Sequence, residues 1–188
     1  MDNSIGPGSG KSLLYLNETI IRAIKQSWIW ALFFAAGIVL GMVYFDKLSQ
    51  ALLPIVFDTF DAVLLDSQGE PRPPFSLAIA IFLNNSFVAA ICFISAKVTR
   101  GLLPGFILLF NGVVIGVLAV LTNTLGVSLG QFLIMLIPHG IFELPALFIA
   151  CAIGWRGLNK ETLYSMWFPI AMLFFAALVE VYFTPMLY

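Results

Sequence analysis

The stretch from Gln26 to Phe45 contains no charged residue over 20 consecutive positions. In a helix that rises about 1.5 Å per residue, such a stretch is about 30 Å long, which is the thickness of the hydrocarbon layer of a bilayer. A helix also bonds its backbone polar groups internally, as lipid requires. Because 61% of the 188 residues are hydrophobic and 10% are charged, against about 25% charged in soluble domains, the sequence predicts an integral membrane protein.

Four more apolar segments of similar length follow the first. The five predicted spans cover residues 28–45, 75–96, 102–122, 130–153 and 162–183. Short links join the last four, so we expect consecutive helices to pack as antiparallel neighbours. The predicted fold is all-α: a polytopic membrane helical bundle of about five transmembrane helices, with residues 28–188 as a single membrane domain. A division of the fourth span at Pro138 would raise the count to six.

Two segments outside the spans have apolar residues on one helical face and charges on the other. Residues 1–27 are expected to form a tail and an amphipathic lead-in helix on the membrane surface, because leucines and isoleucines recur there at helical spacing. Residues 46–74 carry Asp46, Asp58 and Asp61 opposite an apolar stripe and end in the proline-rich GEPRPPF. We expect this second segment to form an interfacial helix on the extracytoplasmic side.

The basic residues are distributed unevenly between the two membrane faces that five spans define. Seven of them share one side: Lys11, Arg22, Lys25, Lys97, Arg100, Arg156 and Lys160. Lys47 and Arg72 lie on the other side. Since Lys and Arg accumulate in short cytoplasmic loops, the N-terminus is predicted in the cytoplasm and the C-terminus outside.

The charge and the N-terminal glycines argue against two classes of function. A formal charge of -1 with nine scattered basic residues does not supply the clustered Lys and Arg that nucleic acid requires, so no nucleic-acid partner is expected. The segment GPGSGKS, Gly6 to Ser12, resembles a phosphate-binding loop, but the pattern G-x-x-x-x-G-K-[ST] would need a glycine where Ile5 stands. We therefore do not expect nucleotide hydrolysis.

Small residues recur every four positions in three of the predicted spans. They are Gly37 and Gly41 in the first, Gly112 and Gly116 in the third, and Ala146, Ala150 and Gly154 in the fourth. This spacing lets two helix backbones approach closely in lipid. It fits helix packing within one bundle, and it leaves a homodimer interface open as the alternative.

Five polar residues lie inside the predicted spans, where they are costly. They are Asn84, Asn85, Asn111, His139 and Glu143. An acidic side chain at the bilayer centre costs about 3 kcal/mol on insertion scales, so Glu143 is expected to face protein or water. His139 and Glu143 are four residues apart and share a face of a regular helix. Glu180, close to the end of the last span, is interpreted as the solvated end of a helix.

A kink is predicted beside His139 and Glu143. Pro138 and Pro145 lack amide hydrogens, so two carbonyls of the fourth span lose their helical partners, and Gly140 permits distortion between them.

Two explanations of the polar cluster stay open. It could be a hydrogen-bond network that fixes helix packing. It could also be a site for a solute, an ion or a proton, because broken helices with ionisable midplane residues recur in transporters.

The same cluster matches a metal or catalytic centre poorly. Zinc usually takes three or four protein ligands, so His139 and Glu143 would hold a divalent metal only if a homodimer paired two copies of them. The sequence has no H-E-x-x-H motif, no second histidine and no nucleophile beside a base. No cofactor and no enzymatic activity are expected, and a metal-dependent membrane hydrolase is the remaining enzymatic alternative.

Three segments with polar residues follow one another along the chain: FLNNSF at Phe82–Phe87, LLFNGVVIG at Leu108–Gly116 and PHGIFELPALFIACAIGWR at Pro138–Arg156. Together they resemble the pattern of the stage II sporulation protein M (SpoIIM) family, small multi-span membrane proteins of bacteria and archaea. The resemblance covers about residues 75–188, and P-H-G-x-x-E-x-P is its most specific part. It marks as family-pattern positions Asn84, Asn85, Asn111, Pro138, His139, Gly140, Glu143 and Pro145.

This resemblance implies a location and a role. In spore-forming bacteria the family member belongs to an engulfment complex with peptidoglycan-remodelling partners and is viewed as a membrane scaffold. The resemblance therefore implies the cell membrane of a bacterium or archaeon, with envelope-remodelling proteins as partners. The favoured hypothesis is a non-enzymatic, self-associating scaffold or assembly factor in an envelope process. The alternative is a transporter of a small solute, an ion or a proton that uses His139 and Glu143.

Overall fold

The computed structural model describes residues 8–187, and the side chains of residues 16–137 and 140–186. In this part of the chain the α-helices are α1 Gly8–Val43, α2 Phe45–Leu64, α3 Pro74–Val98, α4 Leu102–Thr124, α5 Leu129–Trp155, α6 Lys160–Ser165 and α7 Trp167–Leu178. A π-helical turn, Val179–Phe183, and a 3₁₀ turn, Thr184–Leu187, continue α7. The described residues include no β-strand beyond an isolated bridge between Leu65 and Pro71. The all-α prediction is confirmed.

Four helical segments in the described part of the chain are long and apolar enough to cross a membrane. They are Leu16–Val43, Pro74–Val98, Leu102–Thr124 and Lys160–Met186. The helix α5 is bent by 66° between its halves, Leu129–Ile137 and Gly140–Trp155, and it is the fifth span if both halves belong to one crossing. The bend falls at Pro138 and His139, where a proline removes one helical hydrogen bond. The chain is a multi-pass membrane protein.

The predicted lead-in helix and the first span form one helix. The helix α1 runs without a break, whereas the sequence analysis placed a boundary at residue 27. No proline or glycine stands between Gly10 and Gly37 to end the helix there. Ala23 is fully buried and α1 contacts α6, so this part of α1 lies against the bundle. Gly10 of the glycine-rich segment also belongs to α1, whereas Gly6 lies outside the described residues.

The closest helix packing joins α1 to α4 through four glycines, which we call the glycine seam: Gly37, Gly41, Gly112 and Gly116. A Cβ atom added at either glycine of α1 would collide with a carbonyl oxygen of α4, and one added at either glycine of α4 would collide with a carbonyl oxygen of α1. Gly37 lies beside Gly112 and Gly41 beside Gly116, so the two helices run parallel. Both G-x-x-x-G motifs therefore serve packing within one chain.

A second close contact joins α3 to α5. A Cβ atom at Gly154 would collide with a backbone carbonyl of α3, and Ala146 and Ala150 are fully buried. Cys92 of α3 and Cys151 of α5 are free and buried. The small residues of α5 are thus also used within the chain, and a homodimer would need a different surface.

Adding one methyl group to the glycine seam should destabilise the bundle. Gly112→Ala would place a Cβ atom against the backbone carbonyl of Phe34, and overpacking of this kind costs about 1–3 kcal/mol. Gly130→Ala is the matched control, because its Cβ atom would meet Ser128 Oγ at 3.9 Å and alanine favours a helix by about 1 kcal/mol over glycine. Thermal unfolding in detergent should show a lower midpoint for Gly112→Ala alone. Equal midpoints for the two variants would contradict the role of the seam.

The helix α2 occupies the predicted interfacial segment. It carries Asp46, Asp58 and Asp61, and the large apolar side chains of Phe57 and Phe60 are exposed. It contacts α3 and α4, and it is not among the helices apolar enough to cross a membrane. A polar face and an exposed apolar face on one helix favour a position at the boundary between lipid and water.

Two side chains hold the loop that follows α2. Arg72 Nε donates a hydrogen bond to the carbonyl of Val63 at 2.9 Å, which satisfies an open carbonyl at the end of a helix. The Asp66 carboxylate accepts hydrogen bonds from the backbone N–H groups of Gln68 at 2.8 Å and Glu70 at 3.1 Å. These bonds stabilise the charged form of Asp66 and therefore hold its pKa below the ordinary value. The bond from Gln68 has the largest effect, and the bond from Glu70 follows.

Because the pKa of Asp66 is lowered, this loop should lose stability as the pH falls. A carboxyl whose pKa is lower in the folded protein contributes stability above its unfolded pKa and loses that stability as the pH falls through its folded pKa. Asp66→Asn should therefore melt at a lower temperature than the unmodified protein near neutral pH, and this difference should vanish in acid. A difference in melting temperature that persists unchanged below the pKa of Asp66 would contradict the expectation.

Candidate functional site

An acidic pair lies where the bent α5 meets the end of the last helix. Glu143 stands one turn after the bend and is half-buried. Glu180 stands in the π-helical turn, which contacts α5, and it is also half-buried. The two carboxyl groups are close enough for their charges to interact. The structure thus brings together two acidic residues from different helical segments.

Glu143 and Glu180 both lie at or next to irregular helical backbone. Pro138 has no N–H to donate within α5, and the helix bends at that point. The π-helical turn that carries Glu180 has a wider backbone than an α-helix, and Thr184 Oγ1 donates a hydrogen bond across it to the carbonyl of Val179 at 3.2 Å. Single π-helical turns inside α-helices are frequent at functional sites. Glu143 therefore follows one irregular backbone segment, and Glu180 belongs to another.

The side chains of Pro138 and His139 lie outside the described residues. The backbone of both residues belongs to α5. The pairing of His139 with Glu143, either through a hydrogen bond or as two ligands of a divalent metal, stays a prediction. Among the side chains that the structure describes, no group of three or more His, Cys, Asp or Glu residues could hold a metal ion.

The asparagines do not join the acidic pair. Asn84 Nδ2 donates a hydrogen bond to Asn85 Oδ1 at 3.3 Å, and Asn111 Nδ2 donates to the carbonyl of Ile107 in its own helix at 2.8 Å. Asn84 and Asn111 are exposed, and Asn85 is half-buried. Within the described residues, the structure therefore does not form one hydrogen-bond network from these asparagines and Glu143, because they bond locally and two of them face outward.

Sequence reasoning missed the place of Glu180. A solvated helix end was expected from its position, whereas in the structure Glu180 is half-buried and its charge interacts with that of Glu143. A signal was present, because Glu180 is the only charged residue between Thr162 and Tyr188, and a lone acid in an apolar run normally faces protein. Its partner was not predictable, because that contact depends on the bend of α5.

The helical bundle and its polar positions define a multi-pass membrane protein that contains a bent helix. The chain belongs to the stage II sporulation protein M family, whose family model matches residues 30–185. The match confirms the resemblance and extends it into α1. A relative from Methanocaldococcus jannaschii, the uncharacterized protein MJ0793, is 28% identical over 122 residues, which cover 55% of this chain and 68% of that one. No solved structure gives a significant match.

Proposed function

We propose that this protein is a SpoIIM-like membrane scaffold, which assembles with other membrane proteins in an envelope process and has no enzymatic activity of its own. The observation that supports this function is the presence of exposed polar side chains in the middle of two spans. Asn84 lies near the centre of α3 and Asn111 near the centre of α4, and both are exposed. We call these two residues the exposed asparagines.

Lipid offers the exposed asparagines no hydrogen-bond partner. A carboxamide has two donor hydrogens and an acceptor oxygen with two lone pairs. Asn111 uses one donor on the carbonyl of Ile107, which leaves most of this capacity unused within the described residues. An unsatisfied polar group in hydrocarbon costs several kcal/mol, whereas a bond to a neighbouring transmembrane helix contributes about 0.6–2 kcal/mol. A partner helix against either of the exposed asparagines is therefore favourable.

The first partner in this proposal is a second copy of the chain. In a parallel symmetric dimer, the two copies of Asn111 lie at the same depth in the membrane. Because a carboxamide donates and accepts at once, the two side chains can bond reciprocally across the symmetry axis. The glycine seam is occupied by α1 and α4 of the same chain, so the dimer uses the exposed asparagines instead.

Further partners and the location belong to the same proposal. The family resemblance supports envelope-remodelling proteins as additional partners of the dimer. The uneven distribution of Lys and Arg supports a cell membrane location with the N-terminus in the cytoplasm and the C-terminus outside.

Replacing the exposed asparagines by leucine should weaken self-association. Asn111→Leu, alone and together with Asn84→Leu, removes the carboxamides and keeps the surface apolar, so the dissociation constant of the dimer should rise by about tenfold. Asn123→Leu is the matched control, because Asn123 is also exposed on α4 but lies near the end of that helix. The measurement is energy transfer between labelled copies diluted in lipid vesicles. A monomeric unmodified protein, or variants that associate as tightly as it does, would contradict the proposed dimer surface.

A second candidate function is the transport of a cation or a proton. The observation that favours it is the acidic pair, since the charges of Glu143 in α5 and Glu180 in the last helical segment interact. Two carboxylates in a low-dielectric region repel each other strongly, and a bound proton or cation relieves that repulsion. Bent and irregular helices with such groups recur in transporters.

Glu143→Gln separates the two candidate functions. Glutamine keeps the size of the side chain but neither releases a proton nor offers a negative charge. If the protein transports, Glu143→Gln should abolish cation or proton flux in vesicles while the melting temperature in detergent stays within a few degrees of the unmodified protein. Glu161→Gln is the control, because Glu161 is exposed in the first turn of α6. Vesicles of unmodified protein that show no flux above empty vesicles would exclude transport of the ion tested.

A further inference from the structure

A cavity of about 360 Å³ lies where α1, the turn between α3 and α4, and the end of α5 meet. We call it the tryptophan cavity, because Trp30 and Trp155 line it together with Phe33. The other residues that matter to its chemistry are Gln26, Arg100 and Gly101. Its volume falls in the usual range of small-molecule sites, about 300–1,000 Å³.

The apolar wall of the tryptophan cavity is built from rings that contact each other. The rings of Trp30 and Trp155 meet edge to face with centroids 6.1 Å apart, and those of Trp30 and Phe33 lie 6.0 Å apart. Gly101 permits this arrangement, because a Cβ atom there would lie 2.8 Å from Trp155 Cζ3 and 3.2 Å from Trp30 Cη2. Packed rings and a left-handed glycine, with φ of 79°, preform the wall.

Arg100 adds a positive charge to this apolar cavity. Its backbone has a φ of 51°, a conformation that residues other than glycine adopt rarely and that deserves a functional explanation. Within the described residues no hydrogen bond or ion pair engages its guanidinium group. A guanidinium presents five N–H donors in a planar fork that matches a phosphate group. The strained turn therefore holds an unused phosphate-binding group beside an apolar wall.

The surroundings of the tryptophan cavity carry the charge that an anionic lipid requires. The cavity lies at the end of the bundle that includes the end of α5 next to Arg156. On α1, Lys25 immediately precedes Gln26 of the cavity wall, and Arg22 lies about one turn earlier. Tryptophan is enriched at the boundary between hydrocarbon and headgroups, and clustered basic residues there attract anionic lipids.

We infer that the tryptophan cavity binds the headgroup end of an anionic phospholipid, with Arg100 on the phosphate, Gln26 on the polar headgroup and the Trp30, Phe33 and Trp155 rings against the glycerol and upper acyl chain. This role does not depend on the proposed scaffold function. It would hold equally in a transporter.

Tryptophan quenching in vesicles tests this assignment. Trp28→Phe and Trp167→Phe, both at exposed positions, leave Trp30 and Trp155 as the only tryptophans of the full chain. In phosphatidylcholine vesicles, phosphatidylglycerol with brominated acyl chains should quench this fluorescence in a saturable way at low mole fraction. Arg100→Gln should raise the half-saturating fraction by about tenfold, because it removes a charge-assisted pair. Lys97→Gln, which removes the same charge from an exposed neighbour outside the cavity, should change it less than twofold.

Arg100→Gly is a second variant that tests the same site. Unlike Arg100→Gln, it does not force a residue with a side chain into the positive φ of position 100. Glycine adopts a positive φ without cost, so this variant should melt at the same or a higher temperature than the unmodified protein in neutral detergent and still lose saturable quenching. Equal effects of Arg100→Gln and Lys97→Gln would overturn the site in favour of a general surface charge. Equal quenching by brominated phosphatidylcholine would overturn the preference for an anionic headgroup and leave only an apolar lipid site. Full competition by millimolar inorganic phosphate would show that the cavity binds a free anion instead of a lipid.

Discussion

The contact of α1 with α4 through the glycine seam is the interaction on which the arrangement of the bundle depends. In lipid, little hydrophobic force distinguishes a helix neighbour from an acyl chain, so close backbone contact and polar bonds decide which helices pair. The seam sets two helices from distant parts of the sequence side by side and parallel. This parallel alignment in turn places Trp30 of α1 against Gly101 at the start of α4, and with it the wall of the tryptophan cavity.

Much of the helical layout was predictable from the sequence, because lipid leaves a spanning segment little choice of structure. The predicted spans 75–96 and 102–122 fall within α3 and α4 and end within two residues of the observed ends. The single length of α1 was not predicted, since amphipathic spacing marks the face of a helix and not its end. The sequence also located the bend, because Pro138 removes a backbone donor wherever it stands in a helix.

The polar residues were harder to place, because rotation of a helix about its axis is not encoded in its hydropathy. Asn111 and Glu143 look equivalent in sequence, since each interrupts an apolar span. In the structure the charge of Glu143 interacts with that of a second acid, Glu180, whereas Asn111 is exposed and bonds to its own helix. The cost of a polar side chain in lipid is therefore met in two ways. The acids lie half-buried near irregular backbone, and the carboxamides are exposed, where a partner outside the bundle can bind them.

The helix α4 links the lipid site and the dimer surface physically. Arg100 immediately precedes α4, and Asn111 follows eleven positions later, which at a helical rise of about 1.5 Å per residue is about 16 Å deeper in the membrane. A headgroup phosphate held by Arg100 would fix the depth of α4, and therefore the depth of Asn111, against the bilayer surface. Reciprocal bonding between two copies of Asn111 requires equal depths in both copies. An anionic lipid bound to each copy would thus favour association without touching the interface, because it removes vertical freedom that the dimer would otherwise have to lose.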